Sequence, residues 1–206
     1  MISGLYFITD QGLSKNGVFE DVKQVLNGGC RLVQYREKEK SAQEIITEAQ
    51  AVMELCKQAN ATCIINNRVD VALAVDAHGV HLGQDDMPVT DAREILGKDK
   101  LIGVTVHNVE EALLAVEQGA DHISVSPIFH TDTKKDAGKP AGIKLIKEIK
   151  PKVKVPIVAI GGIKQSNMLE VLSAGADAVA IISGILNSEN VEEKTKEIVG
   201  IINDTT

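Results

Sequence analysis

The chain has 206 residues, enough to bury a full core in one domain. A net charge of −7 and an aromatic content of 2% disfavour general attraction to nucleic acid or anionic membrane and remove the stacking surfaces that single-strand binders use. The opening MISGLYFITD has no basic leader, no stretch is apolar enough to span a membrane, and Cys30, Cys56 and Cys63 lack CxxC spacing, so they read as reduced, buried thiols of a cytoplasmic protein.

Short apolar runs alternate with helical patterns along the whole chain. The first candidate strand is Leu5–Thr9. The second, Arg31–Arg36, runs into Gln34-Tyr-Arg36-Glu-Lys38, and apolar residues at helical spacing follow over Ser41–Gln58. A third, Cys63–Asn66, ends in Asn66-Asn67-Arg68, and a fourth, Gly79–Leu82, leads into Gln84-Asp85-Asp86. The fifth, Leu101–Val106, closes on Thr105-Val-His107 before a helical pattern over Val109–Gln118. The sixth, His122–Ser126, opens the polar loop FHTDTKKDAGKP. The seventh, Pro156–Ile160, ends in Gly161-Gly162, and the eighth, Ala178–Ile182, in Ser183-Gly184.

Many of these runs are near-continuous Val, Ile and Leu, the pattern of parallel strands covered on both faces. Eight strand–helix units in this length predict a single-domain α/β fold over residues 1–206, a (β/α)8 TIM barrel near its lower size limit. A doubly wound open sheet is the rival, and the strand count favours the barrel. The runs Gly119-Ala-Asp and Gly175-Ala-Asp, echoed by Gly28-Gly-Cys, repeat one plan in which a left-handed glycine closes a helix before the next strand.

In such a barrel the carboxyl ends of the strands converge on one face, and the polar residues fall at those ends. Gln34, Arg36 and Lys38 alternate and so share a face; the guanidinium fork and ammonium together suit a diphosphate. An internal ion pair of Arg36 with Glu37, Asp85 or Asp86 is an equal alternative. Asp85-Asp86, with Asn67 as a neutral oxygen, offers donors for Mg²⁺ shared with a substrate phosphate, against a plain helix N-terminus. Gly161-Gly162 and Ser183-Gly184 suit a backbone phosphate grip. Two separate anion sites imply two phosphorylated substrates or one long one. In the sixth loop, paired lysines and alternate threonines suit closure over an anion, against a solvated loop. Of the histidines, His78 and His81 have HxxH spacing, but His78 precedes a strand and His81 lies in it, which argues against zinc; His122 reads as structural, and His107 alone is well placed for proton chemistry.

QYREK, INNRVDVALAVDAHGVHLGQDDMP, GVTVH, SPIFHTDTKKDAG, IVAIGGI and AIISGI together resemble the thiamine phosphate synthase family from Ile8 to about Leu186. The resemblance implies a Mg²⁺-assisted transferase that joins 4-amino-5-hydroxymethyl-2-methylpyrimidine diphosphate to 4-methyl-5-(2-phosphooxyethyl)thiazole. Diphosphate would leave first, and the thiazole nitrogen would capture the pyrimidine carbocation. It implies that Gln34 binds the pyrimidine, that Arg36, Lys38, Asn66 and Lys134 hold the diphosphate, and that Asp86 and Asn67 ligate Mg²⁺. Thr131, Thr133, Gly162, Ile182 and Ser183 would hold the thiazole phosphate, with Lys134 and Thr105 as the catalytic pair. Lys135 reads as a solvated neighbour or a partner for Asp136.

Two departures stand out. The family usually has Asn-Asp where this chain has Asn66-Asn67, and Ser where it has Thr105. The related thiazole tautomerase, which is similar in fold and uses a histidine at the position of His107, is the nearest rival; its relatives tend to lack the GQDD carboxylates and part of QYREK, which this chain retains. A catalytically silent ligand-binding barrel is the alternative of a different class. The pattern is compatible with a homo-oligomer and does not specify one.

Overall fold

A computed structural model describes residues 2–131, 133 and 138–205. Its eight parallel strands are β1 (Gly4–Ile8), β2 (Leu32–Tyr35), β3 (Thr62–Asn66), β4 (Gly79–Leu82), β5 (Leu101–Val106), β6 (His122–Val125), β7 (Ile157–Ala159) and β8 (Ala178–Ala180). They pair in sequence order, and β8 closes on β1 through Gly4–Ala178 and Tyr6–Ala180. The barrel is therefore the one expected from eight strand–helix units, with strand boundaries within two residues of those read from the apolar runs.

The strands alternate between two buried environments. Phe7, Val33, Cys63, Ile65, Val104 and Val125 point outward into the layer beneath the helices. Tyr6, Ile8, Leu32, Ile64, Val158 and Ala180 fill the barrel interior. Both faces being buried explains why the strands read as unbroken apolar runs. All three cysteines are free and buried, as their spacing and setting suggested.

The helices that cover this barrel start and stop on local chemistry. The helix α2 (Ala42–Gln58) begins at a capping box: Ser41 accepts the Glu44 N–H, and the Glu44 carboxylate accepts the Ser41 N–H at 2.9 Å. After α1 (Val18–Asn27), α5 (Val109–Glu117) and α7 (Met168–Ser173), the chain reverses through Gly29, Gly119 and Gly175, with φ of 97°, 97° and 111°. The repeated Gly-Ala-Asp has a second job at the amino end of the barrel. Asp121 accepts the Ile102 N–H at 2.7 Å and pairs with Arg93; Asp177 accepts the Ile157 N–H at 2.8 Å and pairs with Lys150. The repeat thus pins each strand's start to its neighbour. Among the described residues no helix is long and apolar enough to cross a membrane.

Candidate active site

The carboxyl ends of all eight strands open into one cavity of about 470 Å³. Its wall contains every described residue that the family resemblance assigns to the site, whereas Gly184, read as part of the phosphate grip, does not line it. Gln34, Arg36 and Lys38 come from the end of β2, Asn66 and Asn67 from β3, and Asp86 from the turn after β4. Thr105 stands in β5, Thr131 and Thr133 in the loop after β6, Gly162 after β7, and Ile182 and Ser183 after β8. Lys134 and Lys135 lie outside the described residues.

Only Gln34 of the alternating triplet is within the strand; β2 ends at Tyr35, and Arg36 and Lys38 reach the cavity from the following loop. Gln34 is buried and donates through Nε2 to the Tyr6 hydroxyl at 2.8 Å. Burial holds the Tyr6 hydroxyl far above the usual phenol range, so Tyr6 is a neutral anchor for Gln34. Thr9 joins the ends of β1 and β2: its hydroxyl accepts the Arg36 N–H at 2.8 Å and donates to the Arg36 carbonyl at 3.2 Å.

The ion pair weighed for Arg36 has a different partner from those named. Asp10, one residue past Thr9, stands 3.6 Å from its guanidinium, whereas Glu37 faces Lys40 at 3.6 Å and accepts the Lys38 and Glu39 N–H groups. Asp10 was legible by the same rule that found the others, since FITD ends the first strand. It is a cavity residue that the motif reading passed over. The helix expected after Pro88 is α4 (Val89–Leu96); its N-cap is Pro88 and no side chain caps it, so Asp85 precedes the helix without capping it. Asp86 instead accepts the Gly83 N–H through Oδ2 at 2.7 Å, which closes the turn and leaves Oδ1 toward other partners.

His107 reaches the cavity rim with Nδ1 2.9 Å from the Glu111 carboxylate, which also accepts its backbone N–H. It is not the sole histidine at the site. His81 lines the cavity from inside β4, with Nε2 2.8 Å from the Thr105 hydroxyl. Below it His122 is fully buried, 5.8 Å from the His81 ring and 6.4 Å from the Tyr6 ring. Gly103 makes room for this pair, since a Cβ there would sit 2.2 Å from His122 Nε2. Burial lowers the His122 pKa to about 4, so it is neutral at pH 7. His78, outside the cavity, accepts the Cys63 N–H through Nδ1 at 3.0 Å, a structural role.

The phosphate-grip candidates follow two neighbouring strands, β7 and β8. Gly161 and Gly162 adopt φ of 103° and 62°, and the loop after β6 packs directly on them. Ile128 and Phe129 donate backbone N–H groups to Ile160 and Gly161 at 2.9 Å, which seats Thr131 and Thr133 beside the glycine turn. Ser183 starts the short helix α8 (Ser183–Leu186) and lines the same cavity. Among the described residues no set of three or more His, Cys, Asp or Glu side chains is grouped to cage a metal.

The profile of the family described as thiamine monophosphate synthase matches residues 5–185. The chain is 49% identical over 199 residues to a thiamine-phosphate synthase of Methanosarcina mazei, an alignment covering 97% of this chain and 82% of that protein. It is 46% identical over 198 residues to the enzyme of the same name from Clostridium perfringens strain SM101, covering 96% and 95% of the two chains. A solved thiamine phosphate pyrophosphorylase from Pyrococcus furiosus superposes with a TM-score of 0.91 at 38% identity, covering 98% of this chain and 96% of that one. With a barrel whose strand ends gather the family's motifs into one cavity, the chain belongs to the thiamine monophosphate synthase family.

Proposed function

We propose that the protein is a thiamine-phosphate synthase: a transferase that couples hydroxymethylpyrimidine diphosphate with hydroxyethylthiazole phosphate, releasing thiamine phosphate and pyrophosphate. The observation that carries this reading is that two groups suited to anions line one cavity, Arg36 and Lys38 after β2 and the Gly162 and Ser183 backbone after β7 and β8. The small-molecule substrates are polar and phosphorylated, in keeping with a cavity that mixes cations, hydroxyls and exposed peptide groups, and the setting is cytoplasmic.

In this reading Gln34, held by Tyr6, hydrogen-bonds the pyrimidine from the barrel floor. Arg36, Lys38 and Asn66 surround the diphosphate, joined by Lys134 on the strength of the family likeness. Their task is to stabilise charge that grows as the carbon–oxygen bond to diphosphate breaks, so catalysis is electrostatic and positional and needs no protein nucleophile. Thr105, hydrogen-bonded to His81, lines the same cavity and is the second catalytic candidate. Thr131, Thr133, Gly162, Ile182 and Ser183 receive the thiazole phosphate, whose ring nitrogen is thereby aimed at the pyrimidine methylene carbon.

The donor set near Asp86 fits Mg²⁺. Hard oxygens are available from Asp86 Oδ1 and the Asn67 amide, a partial shell of the kind taken by an ion that keeps waters and shares its coordination with a substrate phosphate. When bound, Mg²⁺ supplies charge neutralisation to the departing diphosphate. Purified protein incubated with both phosphorylated substrates and Mg²⁺ should form thiamine phosphate and pyrophosphate in equal amounts. Absence of thiamine phosphate would sink the proposal.

A further inference from the structure

The turn between β7 and α7 runs Gly161-Gly162-Ile163-Lys164-Gln165-Ser166 and ends at Asn167. Asn167 occupies the N-cap position of α7, yet its side chain makes no capping bond to that helix. An asparagine there ordinarily accepts an N–H from the helix's first turn. Here both ends of the amide face backward. Nδ2 donates to the Gly162 carbonyl at 3.2 Å, and Oδ1 accepts the Lys164 N–H at 2.8 Å. Only one orientation of the amide satisfies both bonds, because a carbonyl needs a donor and an N–H an acceptor. The Lys164 carbonyl completes the turn by accepting the Asn167 and Met168 N–H groups at 3.1 and 2.9 Å.

Two consecutive glycines are the most mobile backbone a chain can offer, and left to themselves they sample many conformations. A turn that must present peptide groups to an anion needs that freedom removed before the ligand arrives. Gly162, Ile163 and Lys164 all line the cavity; Asn167 does not. We infer that Asn167 is a positioning residue for the thiazole phosphate, holding the Gly162–Lys164 turn in its binding conformation without touching the ligand. This rests on the assignment of that turn to the thiazole phosphate made above.

The test uses the full chain and two probes, the thiazole phosphate and the thiazole alcohol lacking the phosphate, with binding followed by calorimetry and turnover by steady-state kinetics. In Asn167→Ala, loss of both bonds should raise Kd and KM for the thiazole phosphate about tenfold, as two hydrogen bonds of ordinary net strength imply. KM for the pyrimidine diphosphate should stay within about twofold, since the groups assigned to it follow β2 and β3 and share no hydrogen-bond partner with Asn167. Asn167→Asp keeps the acceptor for Lys164 and loses the donor to Gly162, so it should show the same selective loss in a variant that folds even where the alanine form does not. If wild-type protein binds alcohol and phosphate equally well, the phosphate assignment of the turn is wrong and the inference falls with it. If wild type discriminates between the probes while both variants keep wild-type affinity for the phosphate, or lose both substrates in parallel, the role of Asn167 alone is overturned.

Discussion

Replacing Gly162 with alanine separates backbone strain from displacement of the site. Gly162 has φ of 62°, a left-handed conformation that costs an L-residue about 1–2 kcal/mol. The larger effect is steric. A Cβ at Gly162 would lie 2.3 Å from the His130 carbonyl oxygen and 2.8 Å from Phe129 Cβ. Opening the first contact even to 3.0 Å moves the loop after β6 by about 0.7 Å, and Thr131 follows directly in the chain. Misplacing catalytic groups by about 1 Å can lower rates roughly 100-fold, so kcat/KM for Gly162→Ala should fall about 10- to 100-fold. Gly119→Ala is the matched control: φ is 97°, and nothing lies within 4 Å of the added methyl. Both variants should melt a few degrees lower, about 2–4 °C for each kcal/mol in a chain of this size. Only Gly162→Ala should lose activity. Steady-state kinetics on both substrates, beside thermal melts, decides it; wild-type kcat/KM in Gly162→Ala would refute the steric argument.

Tyr6→Phe removes the partner of the buried Gln34 amide, and a stranded buried donor costs about 1–3 kcal/mol. Urea unfolding should show that loss together with a raised KM for the pyrimidine diphosphate, and an unchanged KM would argue against Gln34 as its ligand. Asn67 has φ of 50°, which aspartate also tolerates, so Asn67→Asp restores a second carboxylate without backbone strain. Half-maximal activity should then need less Mg²⁺, and an unchanged titration would remove position 67 from the metal site. His122 has a folded pKa near 4, below its unfolded value, so the unfolded chain binds the extra proton between those values. Its contribution is complete above about pH 6.5 and is lost as pH falls toward 4, amounting to about 2 kcal/mol between pH 7 and pH 5. In His122→Leu the pH 7 to pH 5 loss of unfolding free energy should shrink by that amount; an equal loss in both proteins would show that the native state protonates His122 freely.

Local pattern carries far in a parallel barrel because each unit repeats one problem. A strand covered on both faces has to be apolar throughout, so Leu101–Val106 and Ala178–Ala180 stand out against any flanking sequence. A helix must close before the next strand, so Gly119 and Gly175 mark the joints. Because strand ends meet on one face, residues as distant as Gln34 and Ser183 are assignable to one face from the sequence, with the family motifs suggesting their roles.

Pairings across the barrel were not legible in this way. Which carboxylate meets Arg36 depends on the register of β1 against β2, where Phe7 faces Val33 and Ile8 faces Gln34; that register brings Asp10 to the guanidinium in place of Asp85 or Asp86. Gly103 reads as an ordinary strand glycine until His81 and His122, from the strands on either side, are seen to fill the space its missing side chain leaves. Asn167 looks like a helix cap, and only the folded turn shows its amide spent on Gly162 and Lys164. Hydrophobic periodicity and turn chemistry act over a few residues and so are written locally. The partner of a polar group is chosen by three-dimensional proximity, which closure of the barrel decides.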